Sequence, residues 1–151
     1  ELPSRVQASE YQRPTVQRTL EVAYRVWDFA RRVRSAYGGL CGICRLGLGL
    51  TEAAHIVPVA WPGGTDETKN GIAMCRNHHA AYDRGLISVS PDYSVSVSSS
   101  RYEMVGNVGS GADVDWLTST RGRSLFLPSR LDDRPDPEYL RIGQSARAFA
   151  L

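Results

Sequence analysis

The chain is short of several things, and each shortage narrows what it does. No apolar run approaches the roughly 18 residues needed to span a bilayer, and no basic-then-apolar leader opens the chain, so neither a membrane protein nor a secretory signal is expected. Lysine is almost missing: Lys69 is the only one among 18 basic residues, and the rest are arginine. The net charge of +2 is too small to argue for any partner. Arginine is nevertheless the better bidentate partner for phosphate, because its planar fork matches two oxygens. Coding bias toward GC explains the same skew. Cysteine is scarce too, and three thiols cannot all pair as disulfides. With 42% hydrophobic and 23% charged residues, the 151-residue chain has the composition of one ordinary globular domain rather than a disordered segment. It starts at Glu1 without a methionine, so a longer parent with an upstream domain is expected.

The few cysteines are placed with purpose. Cys41 and Cys44 form a C-x-x-C, and Cys75 with His78 forms a C-x-x-H about 30 residues later. Zinc favours four tetrahedral Cys and His ligands, commonly as two such knuckles. Cys41, Cys44, Cys75 and His78 therefore predict a closed, structural zinc site. Adjacent helix residues point about 100° apart, so His79, the alternative fourth ligand, is left for other work if His78 binds.

Around the knuckles the pattern alternates between helix and short strand. Three- and four-residue spacing of Val16, Leu20, Ala23, Tyr24, Trp27, Ala30 and Tyr37 predicts a helix over 15–37, behind a polar arm at 1–13. Arg18, Arg25 and Arg32 recur every seven residues and predict a basic stripe, a solvated face or a phosphate-contacting one. Gly38-Gly39 ends that helix. Leu50 to Val59 predicts a strand holding His55 or ending near it, residues 61–71 a loop, and Ile72 to Cys75 a second strand. A short helix over 76–84 capped by Gly85 follows, then a hairpin from Leu86–Val89 and Tyr93–Val97. Residues 98–128 contain a Gly- and Ser-rich interval. Beyond them Pro135-Asp136 signals a helix start, with Tyr139, Leu140, Ile142 and Phe149 as apolar anchors. The expected divisions are an arm and basic helix at 1–38, a core at 39–100 and an extension at 101–151 that packs on the core.

The stretch from Ala53-Ala54-His55-Ile56 through Lys69-Asn70-Gly71 to His78-His79-Ala80-Ala81-Tyr82-Asp83-Arg84-Gly85 resembles the HNH nucleases. It is similar to the branch with an AAHI strand and an H-x-x-[FY]-D-x-G-L helix, common in prokaryotic restriction and phage-defence proteins. The resemblance covers roughly residues 40–97 and implies an α+β fold, a ββα-metal (treble-clef-like) core. It also implies a cytoplasmic, metal-dependent endonuclease acting on double-stranded DNA. His55 would be the general base, since a neutral imidazole accepts a proton near working pH. Asn70, by the family pattern, would fix the His55 ring by hydrogen bonds that bridge the loop back to the strand. His79 and Asp83, one helical turn apart, would hold Mg²⁺ or Mn²⁺ to stabilise the leaving oxygen. Many HNH enzymes carry a metal-binding Asp just before the base; here that position is Ala54. Asp83 is expected to take over part of its charge, with Glu52 a weaker substitute. Arg76, Arg84, Arg25 and Arg32 are candidate phosphate contacts. An upstream recognition domain or a homodimer partner would supply target choice or the second cut. Two other functions are open: a zinc-stabilised DNA- or protein-binding module without catalysis (a degenerate HNH), which needs the zinc frame and the arginines but not His55, Asn70 or Asp83, and an RNA-directed nuclease using the same site.

Overall fold

In the computed structural model, residues 12–104 and 111–148 are described, with side chains of the first helix from residue 18 onward. The polar arm and Phe149 lie outside those residues, apart from the arm's last two positions, which are helical. The helix α1 (Gln12–Ala36) precedes the strand β1 (Thr51–His55), which pairs antiparallel with β2 (Gly71–Cys75). The helix α2 (Arg76–Asp83) leaves β2 directly. A hairpin of β3 (Ile87–Val89) and β4 (Val95–Val97) follows. After it come α3 (Ser99–Met104), α4 (Gly111–Thr120) and α5 (Pro137–Ala148). The expected α+β arrangement of β1, β2 and α2 is present, with a helix before it and a hairpin after it.

All five residues of β2 are buried, so the central hairpin is covered on both faces. Phe29, Val33 and Tyr37, on one helical face, supply cover from α1. Gly71 makes this packing close: a Cβ there would run into the Val33 side chain and come 2.9 Å from the Phe29 ring. Here the expected apolar face of α1 is corrected. Leu20, Tyr24 and Trp27 are 64%, 64% and 55% exposed, and Trp27 meets Tyr24 and Arg31 of its own helix rather than the sheet. Only the C-terminal third of the helix reaches the sheet. Periodicity marks apolar positions but does not say which part of a long helix meets a partner.

The short elements end as their chemistry demands. At the end of α2 the N–H of Leu86 donates to the Ala81 carbonyl and that of Gly85 to Tyr82, with Gly85 at φ +66°. This is the two-bond glycine cap expected there. Asp136 caps α5: its side chain accepts from the Glu138 N–H at 2.8 Å, and Pro137 takes the first helical position. The predicted strand of Leu50–Val59 is shorter than expected and stops at His55. The helix α4 was not expected. Its Gly-, Asp- and Thr-rich sequence has low helix propensity, and it is held by contacts made elsewhere in the fold. Leu125 and Leu140, beyond residue 100, are buried in the same core as β1 and β2.

Candidate metal centre and active site

The zinc-type knuckles meet in space. The ligand atoms of Cys41, Cys44, Cys75 and His78 all lie within 4.8 Å of one another. Two turns bring them there. The N–H of Arg45 donates to the Cys41 carbonyl, and that of Gly42 donates to the Ala73 carbonyl of β2, pinning the first knuckle to the sheet. Cys75 is the N-cap of α2, which puts His78 in the first turn beside it. His78 presents Nδ1 to the thiols, 3.2 Å from Cys75 Sγ and 3.7 Å from Cys41 Sγ.

The electrostatics of this cluster ask for a cation. Burial opposes the Cys41 thiolate, but hydrogen bonds from His78 and neighbouring backbone N–H groups bring its pKa down to about 6. Burial pushes Cys44 up to about 12 and raises Cys75 as well. Without a positive ion, one thiolate is tolerated and two more are not. Three thiolates with one imidazole are the donor set of a structural zinc. An outer partner that the sequence did not disclose completes the arrangement. His78 Nε2 lies 3.1 Å from Thr120 Oγ1, and Trp116 stacks on the ring at 4.9 Å. Both residues belong to α4, and a ligating histidine commonly donates its second N–H in this way.

His55 stands at the end of β1, opposite Gly71. Its ring lies flat on Phe29, with centroids 3.8 Å apart and planes 10° from parallel. Nε2 is 3.0 Å from Asp66 Oδ1. Asp66 is thus the polar partner of the ring, and Asn70 does not touch it. Asn70 is fully buried and spends its amide on backbone. Oδ1 accepts from the Val57 N–H at 2.8 Å, and Nδ2 donates to the carbonyls of Val57 and Thr65. It bridges loop to strand, as expected, but acts on the chain beyond His55 rather than on the ring. No motif spacing singles out Asp66 within a loop of turn-forming residues.

His79 sits between two carboxylates. Glu52 Oε2 is 2.9 Å from Nδ1, and Asp83 Oδ2 is 3.3 Å from Nε2. The hydrogen bond to Asp83 is the main cause that raises the His79 pKa, against burial, with Glu52 adding to it. Burial works against the Asp83 carboxylate, but His79 and Arg147 hold its pKa below the usual range. Glu52 and Asp83 occupy opposite ring nitrogens, so Glu52 is placed to orient His79 rather than to replace the missing acid. Ala54 itself is buried and offers no donor atom. Among the described residues the cysteine cluster is the only group of three or more metal donors. His79 and Asp83 bring one imidazole and one carboxylate together on one face of α2.

The arginines divide. Arg32 turns inward: it pairs with Asp28 and donates to Thr68 Oγ1 and the Asp66 carbonyl at 2.7 Å each. That tethers the loop carrying Asp66, and the expected phosphate contact gives way to a structural one. Arg76 is 78% exposed and 3.0 Å from Glu52. Arg84 and Arg25 are exposed on α2's end and on α1.

The family model of the HNH endonucleases matches residues 40–90. Among solved structures, a modification-dependent TagI restriction endonuclease is similar in fold, with a TM-score of 0.51 and 19% identity. The likeness covers 78% of this chain and 36% of that one, so the chain spans about a third of that protein's length. No curated protein matches.

Proposed function

We propose that the HNH endonuclease segment at residues 40–90 hydrolyses phosphodiester bonds in double-stranded DNA, with His55 as the base that takes a proton from water. The observation that carries this reading is the seating of the His55 ring between the Phe29 face and the Asp66 carboxylate. Asp66 engages Nε2 and favours the tautomer with its proton there, which leaves Nδ1 as the acceptor. Asn70 holds the backbone just beyond His55, so the ring has a fixed origin as well as a fixed direction.

His79 and Asp83 are the residues that would hold a divalent cation, with Glu52 behind His79. When bound, Mg²⁺ or Mn²⁺ supplies charge stabilisation for the phosphoryl oxygens and the leaving oxygen. Cys41, Cys44, Cys75 and His78 would hold zinc, which braces the frame rather than the chemistry. Arg76, Arg84 and Arg25 remain candidates for phosphate contact, the first once it leaves Glu52. A restriction or defence setting in a prokaryotic cytoplasm, with an upstream domain or a second copy choosing the target, completes the proposal. In keeping with that setting, no helix among the described residues is long and apolar enough to cross a membrane.

The test is plasmid nicking with Mg²⁺ or Mn²⁺. His55→Ala is expected to lower the rate by roughly 10²–10⁴-fold while zinc content stays unchanged. Equal nicking by both proteins would overturn the assignment and favour a zinc-stabilised binding module. A single-stranded RNA substrate in parallel distinguishes the RNA-directed alternative.

A further inference from the structure

Helix α5 lies outside the matched 40–90 segment, yet it reaches the end of the strand that carries His55. Gly143 and Arg147 are four residues apart and share one helical face. A Cβ on Gly143 would collide with the carbonyl oxygen of Ile56, so glycine lets α5 lie directly on the backbone beside His55. One turn later Arg147 enters the core, 7% exposed, with its guanidinium 3.8 Å over the Tyr82 ring. Nη1 donates to that same Ile56 carbonyl. Nη2 donates to the His55 carbonyl at 2.6 Å and reaches Asp83 Oδ1 at 3.5 Å.

We propose that Arg147 is a positioning residue of the nuclease site, one guanidinium that sets His55 and Asp83 relative to each other. The inference rests on the roles assigned to those two residues above. A single nitrogen atom touches the backbone of the base and the carboxylate of the cation site. These belong to different elements, β1 and α2, and the bond from α5 ties them together. Burying a cation is costly, and an apolar side chain of similar volume would pack more cheaply. What arginine adds is a planar fork that reaches the carbonyls of Ile56, Gly143 and His55 and the Asp83 carboxylate at once, which the compact ammonium of lysine does not. The Asp83 contact is long and half exposed, so the carboxylate keeps its other oxygen for His79 and a cation.

The test uses the full, zinc-loaded chain and three variants. Arg147→Lys keeps the charge and loses the fork. Arg147→Met replaces the cation by a packed apolar chain and carries the comparison if the lysine variant does not fold. Gln144→Ala loosens the same helix elsewhere, through its bonds to Ser88 and Ser90. Mn²⁺ affinity is read by electron paramagnetic resonance, alongside nicking kcat and KM and the melting temperature. The Arg147 variant is expected to weaken Mn²⁺ binding and lower kcat by roughly 10–100-fold, with KM for DNA unchanged. Gln144→Ala is expected to lower the melting temperature and move neither. Wild-type Mn²⁺ affinity in a folded Arg147 variant overturns the proposal. So does a loss in both variants in proportion to their loss of stability, which is the mark of a merely structural role. If the wild type does not nick DNA at all, the nuclease assignment fails, and the Mn²⁺ comparison still decides what Arg147 does.

Discussion

Asp66 and His55 illustrate how much a single contact decides. The pair is partly exposed, with side chains 29% and 21% accessible, so its direct contribution to stability is at most about 1 kcal/mol. Its importance lies in direction. An ionised carboxylate at Nε2 selects one tautomer of the ring, whereas an amide can offer its N–H₂ and select the other. Asp66→Asn is therefore expected to lower kcat at least about tenfold with the melting temperature almost unchanged. Steady-state nicking beside a thermal melt checks this. An unaltered kcat would show that Phe29 alone holds the ring. At this site His55, Asn70, His79 and Asp83 were legible through the resemblance of their motif, not from spacing alone. Asp66 and Arg147 were not, because one lies in a loop of turn formers and the other 92 residues from the carbonyl it holds.

At the scale of elements, the decisive packing is α1 against β1 and β2. Gly71 stands opposite His55 in the register, and Phe29 touches both positions. Gly71→Ala is expected to cost about 1–3 kcal/mol through overpacking. Neither Val33 nor the Phe29 ring has a flexible end to move aside. Activity should fall with it, since any strain on Phe29 is passed to the His55 ring stacked against it. Chemical denaturation measures the first effect and nicking the second. A variant as stable and as active as the wild type would mean that α1 shifts freely on the sheet. The strands, α2 and its glycine cap followed from local pattern, because short apolar runs, the turn residues that bound them and Gly85 are short-range signals. The face of α1 did not. Its apolar residues occur on several sides, and contact with the sheet, not periodicity, determines that Phe29 and Val33 are the buried ones.

For the whole molecule, the cysteine cluster is the joint on which everything else hangs. It connects the knuckle before β1, the start of α2 and, through Thr120 and Trp116, the helix α4. A structural zinc of this kind contributes on the order of 10 kcal/mol to folding, comparable to the whole net stability of a domain. Removing metal with a strong chelator is expected to abolish the cooperative melt and the near-ultraviolet signal of the aromatic core, and added Zn²⁺ is expected to restore both. A metal-free protein that melts as the loaded one does would place the fold's stability in its apolar core alone.

The two ligand knuckles and the order of strand, loop and helix were legible in the sequence itself, since each knuckle, strand run and helix cap is set by residues a few positions apart, and the candidate base was legible through the resemblance of its motif. The tertiary structure alone decided which partners meet those groups: Asp66 at the His55 ring, Thr120 at His78, and Arg147 between the His55 carbonyl and Asp83. These contacts join residues 11, 42 and up to 92 positions apart. No periodicity encodes them, because hydrogen bonds and packing act through distance in space, and only the completed fold brings such residues within reach.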